Sequence, residues 1–527
     1  MNQDCDVAIV GFGPVGQLLS GLLGAAGVRV EVFERWPEIY ALPRACVVDD
    51  EGMRILQAAG IAEEFERVAV NVDGEYVWTN AQGQVLMSFK RPALGRCGWG
   101  SRYMMYQPDL ERLMEKRAHS FPDVKVQRGW AAVALHEHAD GVTLEVERGA
   151  PEPNGARQPE QERKQVRASY VVGADGANSF VRQAAELRWI DLGFRAEWLV
   201  VDFRPHDPDA TLDMPLTGQL CDPARPTSMF RRLGRYHVRW EMMLLPGETA
   251  EELTRVERIW ELLSRWVTPN DGEIVRSAVY TFRSGVAEHW RRGAILLAGD
   301  AAHLMPPFLG QGMCSGMRDA MALTWRLLAL LQGKLSAAVL DSYEMERRQH
   351  VEGVIARAVA LGKVICITDP KKAAERDKQF LSGQPPPLPE FPRLAVGLLQ
   401  RDQRKHSPAR GDLCLQGRVR VAGRVGRFDD IVGRGWLVLS LSERVEHLLS
   451  DQQQQFLRRL GARFICVGSS PGNDVFDVDG SYQQYFGALG AQAVVVRPDF
   501  YIFGVAESLT DLPAAIDDLM TQLQEAA

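Results

Sequence analysis

The segment "DVAIVGFGPVGQLLSGLLGAAGVRVEVFER", residues 6–35, restricts the fold more than any other part of the chain. Its apolar run Val7–Val10 predicts a strand, and a helix follows over about Pro14–Ala26. A second strand is expected over about Arg29–Phe33, ending at Glu34. The glycines between the first strand and the helix have separate uses. Gly11 permits a tight turn, Gly13 lets the backbone approach a pyrophosphate, and Gly16 lets the helix pack against the strand. The helix N-terminus attracts an anion. Glu34, about 20 residues on, is placed to accept hydrogen bonds from ribose hydroxyls. Pro14, Val15 and Arg35 flank these positions and join the candidate site. An acid at the end of the second strand suits FAD or NAD better than NADP.

The chain has 527 residues, for which about three domains is the prior. Its net charge of −7 offers no basic footprint for nucleic acid. No polybasic run marks a membrane surface, and no apolar run reaches the roughly 18 residues of a membrane span. The opening "MNQDCD" lacks the positive region of a signal peptide. The eight cysteines are scattered without a C-x-x-C pair. No metal site or dithiol centre is therefore expected, and a reducing cytoplasm is.

No second strand–G-x-G-x-x-G–helix unit with its own trailing acid occurs. Two other apolar runs end in small residues and a carboxylate instead. "YVVGADGANSFVR" reaches Gly173, Asp175 and Gly176, and "AILLAGDAAH" reaches Gly299 and Asp300. Three such strands predict one long ligand lying across the carboxyl ends of one parallel sheet. Capping of the following helix is the alternative use of Asp175 and Asp300.

These motifs, together with "PRA" at 43–45, "YQPDLE" at 106–111 and "GDAAHLMPPFLGQGMCSGMRDA" at 299–320, resemble the FAD-dependent aromatic hydroxylases. "RWEMMLLPGE" and "VVVRPDFYIFG" extend the similarity to the long branch that includes the 3-(3-hydroxyphenyl)propionate hydroxylases. The resemblance implies an α/β fold of the para-hydroxybenzoate hydroxylase type. In it a Rossmann-like FAD-binding domain carries an inserted antiparallel substrate sheet and is followed by a thioredoxin-like C-terminal domain. It implies FAD as cofactor, NAD(P)H as co-substrate, and hydroxylation of a phenolic substrate by O2 through a flavin C4a-hydroperoxide. By the same resemblance Arg44 meets FAD phosphate or lies on the nicotinamide path, and Gln107 and Asp300 hold the ribityl chain. Asp175 serves FAD and NAD(P)H, and Pro306 and Pro307 line the reacting face. The amides from Gly310 to Met313 face the pyrimidine edge of the ring. Cys314 stands where the family usually has Asn.

Elementary electrostatics supports the amide assignment. A helix opening near Gly312 offers unpaired N–H groups and about half a positive charge, which suits the anionic edge of a reduced flavin.

Alternating patterns over 74–89 and about 197–290 predict antiparallel strands. His237, Arg239 and Glu241 share one face of such a strand, opposite Val238, Trp240 and Met242. If that face looks into the pocket, His237 and Arg239 meet a phenol oxygen or a carboxylate, and His237 is the titratable group for phenol deprotonation. The alternative is a solvated face with an Arg239–Glu241 pair. Tyr280 is a third substrate candidate or a packing aromatic.

The expected organisation places FAD-binding segments at 1–73, 100–185 and 285–377, with substrate-sheet segments at 74–99 and 186–284. A Pro-rich linker spans 378–408, and the thioredoxin-like domain spans 409–527. Residues 149–167 read as a polar hairpin tip. The C-terminal domain is expected to serve packing or oligomerisation, as in a homodimer. Two other readings stay open: oxidation of a polycyclic aromatic on the same scaffold, or a flavin-binding scaffold without turnover.

Overall fold

In the computed structural model the opening segment forms strand Cys5–Val10, helix Pro14–Gly24 and strand Val30–Glu34. The structure describes residues 3–39, 44–149, 162–401, 409–441, 443–470 and 473–525. The centre of the expected hairpin tip, 150–161, Pro43 of the "PRA" motif, and 402–408 of the expected linker lie outside these.

Strand Cys5–Val10 pairs in parallel with Val30–Glu34 on one side and Arg163–Gly173 on the other. Arg163–Gly173 pairs in parallel with Ile295–Leu297. Val10 lies opposite Gly173, and Gly173 opposite Leu297, so the three carboxyl ends are level. Val7, Ala8, Ile9, Val171, Val172, Leu296 and Leu297 are fully buried. Such continuous apolar strands suit a parallel sheet covered on both faces. The level ends bring together the turns at 11–13, 174–176 and 299–300.

A second, eight-stranded sheet runs in the order His303–Leu304, Gly272–Ala287, Trp189–Pro205, His237–Met243, Thr227–Leu233, Thr217–Cys221, Glu75–Asn80 and Val85–Lys90. Period-2 alternation divides its faces. Leu199, Val201, Phe203, Leu220, Met229, Val238, Trp240 and Met242 pack with Ile259 and Leu263 into one apolar cluster. The residues between them turn to the other face, where the site lies.

The chain divides into two compact units. One holds both sheets and comprises residues 1–93, 100–317 and 352–391. The other comprises 94–99, 318–351 and 392–527. The expected segment 285–377 is thus divided, its residues 318–351 falling in the second unit. Residues 94–99, expected with the substrate sheet, also belong to the second unit.

In the second unit, strands Leu437–Leu441 and Arg463–Gly468 are parallel and joined by helix Asp451–Leu460. Ala493–Val496 and Ile502–Ala506 add an antiparallel hairpin, followed by helix Leu512–Glu525. That is the order of a thioredoxin-like motif. Strands Arg418–Val421, Arg424–Arg427 and Val475–Asp477 and helix Ser481–Leu489 supplement the expected elements.

Within this unit Glu346 is fully buried between two arginines. It accepts from Arg326 at 2.6 Å and from Arg497 at 2.6 and 2.9 Å, while Arg497 also bonds Asp499. Glu346→Ala would strand both guanidiniums without that counter-charge. We expect a loss of about 3–5 kcal/mol, seen as a large fall in the denaturant midpoint. A change under about 1 kcal/mol would show that the cluster contributes little.

Candidate active site

The level strand ends open into a cavity of about 1200 Å³ that continues under the second sheet. It exceeds the roughly 300–1,000 Å³ of an ordinary small-molecule site, leaving room for a dinucleotide and a second molecule.

At one end lie Gly11, Gly13, Pro14, Val15, Glu34 and Arg35. The glycines differ in why they are glycine. A Cβ on Gly11 would stand 2.4 Å from the Ala174 carbonyl oxygen, and its φ of +99° is one that L side chains rarely adopt. A Cβ on Gly16 would meet the Gly11 carbonyl oxygen at 2.0 Å, so Gly16 packs the helix and does not line the cavity. A Cβ on Gly13 would touch no protein atom within 4 Å. The space that Gly13 leaves is cavity, as required of a site for a pyrophosphate. Glu34 also ties the turn together: it accepts from the Phe12 N–H at 2.7 Å and the Trp36 N–H at 2.9 Å.

Along the floor, Arg44, Gln107, Asp175 and Asp300 line the cavity. Arg44 pairs with Asp300 at 3.1 Å. Gln107 is buried and donates to Glu111 at 2.5 Å, while its Oε1 has no protein partner. A buried carbonyl without a donor is costly, and a ribityl hydroxyl would satisfy it. Asp175 accepts from Ser179 Oγ at 2.5 Å and from the Val181 N–H at 3.1 Å, so it steadies the start of the next helix as well as facing the cavity. Burial raises its pKa. Gly299 lies outside the lining.

Pro306, Pro307, Gly310, Gly312 and Met313 form the next wall. Pro307 opens a single helical turn, Pro307–Leu309, and Gly310 then turns the chain at φ +65° into the helix from Gly312. The first amides of that helix have no earlier turn to bond. Cys314 is absent from the lining: it is fully buried, with its thiol 3.6 Å from the Val47 carbonyl oxygen. The unpaired buried carbonyl, the empty space at Gly13 and the helix-opening amides together fit FAD.

The antiparallel roof corrects the substrate assignment. Neither His237 nor Arg239 lines the cavity. Arg239 is 1% exposed and donates to both oxygens of the buried Asp202, which also accepts from Arg276. A third bond from Arg239 goes to the Arg44 carbonyl oxygen. Burial alone would raise Asp202, but Arg239 and Arg276 outweigh it and hold its pKa low. The Arg276 guanidinium lies 4.6 Å from the Tyr106 ring centroid, and His237 stacks on that same ring at 4.1 Å. Burial lowers its pKa. Of the solvated-face alternative, the Arg239–Glu241 pair is present at 3.6 Å, but both residues are buried and the face is not solvated.

The third member of that strand face, Glu241, does reach the cavity. It stands beside Ser228 across the strand pair, and Ser228 beside Gln219. Ser228 Oγ donates to Gln219 Oε1 at 2.7 Å, and Gln219 Nε2 donates to the Tyr76 hydroxyl oxygen at 2.9 Å. All four line the cavity. The sequence signal for this row was a polar residue inside an otherwise apolar strand, as at Gln219 in "TGQLC". Tyr280 lines the cavity with Phe282, its ring stacked on that phenyl at 6.2 Å.

The FAD binding domain family matches residues 4–358, and the HcaD C-terminal domain family matches 411–522. A "Probable NADH-specific resorcinol 4-hydroxylase" of Rhodococcus jostii (strain RHA1) is 38% identical over 98% of this chain and 94% of its own. A 3-(3-hydroxy-phenyl)propionate/3-hydroxycinnamic acid hydroxylase of Burkholderia vietnamiensis (strain G4 / LMG 22486) is 34% identical over 94% of this chain and 92% of its own. The crystal structure of aklavinone-11 hydroxylase with FAD and aklavinone shares the fold at TM-score 0.78 and 23% identity, covering 99% of this chain and all of that one. A glycine-turn dinucleotide cleft continuing beneath a polar antiparallel roof defines a flavoprotein. The chain belongs to the FAD-dependent aromatic hydroxylase family.

Burial pushes the Glu241 carboxyl up to about 7, with the Arg239 guanidinium 3.6 Å away opposing the shift and Asp202 adding to it. A carboxyl whose pKa is raised on folding stabilises the native state at low pH and loses that contribution as pH rises. Wild-type stability relative to Glu241→Gln should therefore fall between about pH 4.5 and 7. Thermal unfolding of both proteins across this window checks it; a pH-independent difference would contradict the raised pKa.

Proposed function

We propose that this chain is an FAD-dependent monooxygenase that hydroxylates a phenolic ring, using NADH as reductant. The overall balance is phenol, O2, NADH and a proton going to a dihydric phenol, water and NAD⁺. The observation that carries the reading is the continuity of one cavity from the glycine turn to the polar roof. The printed name of the Rhodococcus relative supports NADH over NADPH.

Bound FAD supplies electron transfer from the nicotinamide and activation of oxygen. The chain supplies position. Gly11 and Gly13 give the pyrophosphate room, and Glu34 keeps that turn in shape while facing the adenosine ribose. Gln107 and Asp300 take the ribityl hydroxyls. Pro306 and Pro307 shape the face on which the aromatic ring lies, and the amides from Gly310 to Met313 stabilise negative charge at the flavin edge. On the roof, Glu241 accepts the phenol O–H and can hold its proton, which raises electron density at the ring carbons ortho and para to the oxygen. Phe230, Phe282 and Phe308 close the apolar sides. A cytoplasmic setting and a homodimer belong to the same reading; eight free thiols support the former.

The test uses purified holoenzyme with NADH, ¹⁸O2 and a panel of phenols. One labelled oxygen atom per NADH oxidised should appear in a ring hydroxyl. NADH oxidation that no phenol stimulates, or that yields only hydrogen peroxide, would overturn the reading, and absence of any NADH oxidation would favour the scaffold alternative. Asp300→Ala should weaken FAD binding by about 1–3 kcal/mol, measured by flavin fluorescence on titrating apoprotein. Unchanged affinity would remove Asp300 from the flavin site.

A further inference from the structure

One charged side chain in the roof is not used by the flavin or by the phenol hydroxyl. Arg91 follows strand Val85–Lys90 and lines the cavity. Its guanidinium lies 4.8 Å from the Tyr76 ring centroid and 5.4 Å from that of Phe89. It donates to Thr217 Oγ1 at 3.3 Å. No carboxylate among the described residues pairs with it, in contrast to Arg239, Arg276, Arg326 and Arg497, which all have one. Burial, and then the neighbouring Arg102 guanidinium, lowers its pKa to about 10. Arg102 has no carboxylate among the described residues either; it donates to the Leu309 carbonyl oxygen. A partly desolvated cation facing a cavity without a counter-charge is costly unless a ligand brings one.

Two hydroxyls stand beside it with donor capacity to spare. Thr217 Oγ1 accepts from Arg91, which leaves its own proton available. The Tyr76 oxygen accepts from Gln219, which leaves its proton available too. Tyr76 and Thr217 are neighbours in the strand register, and both line the cavity. One positive charge and two O–H donors thus face one place, as a carboxylate requires.

We propose that Arg91, with Thr217 and Tyr76, is a subsite for a carboxylate on the phenolic substrate. Glu241 stands at the other end of the same row, two strands from Gln219. Thr217 lies two residues from Gln219 on its strand, so strand spacing and rise put it about 12 Å from Glu241, with Tyr76 one strand further. A phenol joined to its acid group by a short carbon spacer spans that distance, and a bare dihydric phenol does not. Opposite charges at the two ends also fix the direction of binding, because Glu241 repels the carboxylate. The subsite rests on the phenol-hydroxylase reading and extends it to the class of phenol preferred.

The test measures equilibrium binding to the FAD-loaded protein by the change in flavin absorbance. The probes are 3-(3-hydroxyphenyl)propionate and resorcinol, and the proteins are wild type, Arg91→Ala, Arg91→Lys and Thr217→Val. Wild type should prefer the acid. In Arg91→Ala the ratio of acid to resorcinol affinity should fall at least about tenfold, the scale of losing a charge-assisted hydrogen bond. Arg91→Lys should recover part of the ratio, and Thr217→Val should lower it less than Arg91→Ala does. Affinities for FAD and NADH should not follow the ratio, which separates a substrate carboxylate from cofactor phosphate as the anion bound. Equal loss for acid and resorcinol, an unchanged ratio, or a parallel fall in NADH affinity would each overturn the proposal. Because binding is read without turnover, failure of the hydroxylase reading would show separately, as binding without labelled product.

Discussion

The site depends on one long-range pairing: the parallel backbone ladder between Cys5–Val10 and Arg163–Gly173. It joins segments about 160 residues apart and sets Val10 level with Gly173. The turns that follow each strand then arrive at the same edge. There they come so close that only a hydrogen on the Gly11 α-carbon clears the Ala174 carbonyl. The helix dipole, the Glu34 clamp on the turn and the carboxylates at 175 and 300 all take their positions from that edge. A slip of one residue would turn every strand side chain to the opposite face and separate these groups.

The glycine-turn half of the cavity was legible in the sequence because its requirements are local. A turn that must be tight, a backbone that must be bare and an acid at a strand end leave marks within about 30 residues. The three strands ending in small residues and a carboxylate could be read as one parallel sheet for the same reason, and the structure pairs them so. Gly16, Gly299 and Cys314 sit just behind the surface that their neighbours form. Spacing identifies such a motif without saying which of its atoms face the ligand.

The roof was legible only in outline. Alternation correctly put His237, Arg239 and Glu241 on one face and Val238, Trp240 and Met242 on the other. It could not say which polar residues would find partners inside the protein. Arg239 is consumed by Asp202, 37 residues earlier, and His237 by the Tyr106 ring. Glu241, two positions further along, has only the longer 3.6 Å contact with Arg239 and still faces the cavity. Tyr76, Gln219 and Ser228 come from separate strands, Arg91 from just past another, and they carry no spacing signature. Their association exists only once the sheet has formed, through the pairings of Thr217 with Tyr76 and of Gln219 with Ser228.

The division of labour between the two sheets bears on how such a protein can change. The floor is built from turns whose geometry tolerates almost no alteration, since an added carbon at Gly11 or Gly16 would collide with backbone. The roof row is built from side chains on regular strands, where the backbone hydrogen bonds are indifferent to what projects from them. Exchanges at Tyr76, Thr217, Gln219 or Ser228 would reshape this wall of the cavity while leaving the glycine turns in place. A lineage, or a combinatorial library, can therefore explore new aromatic compounds through a handful of codons.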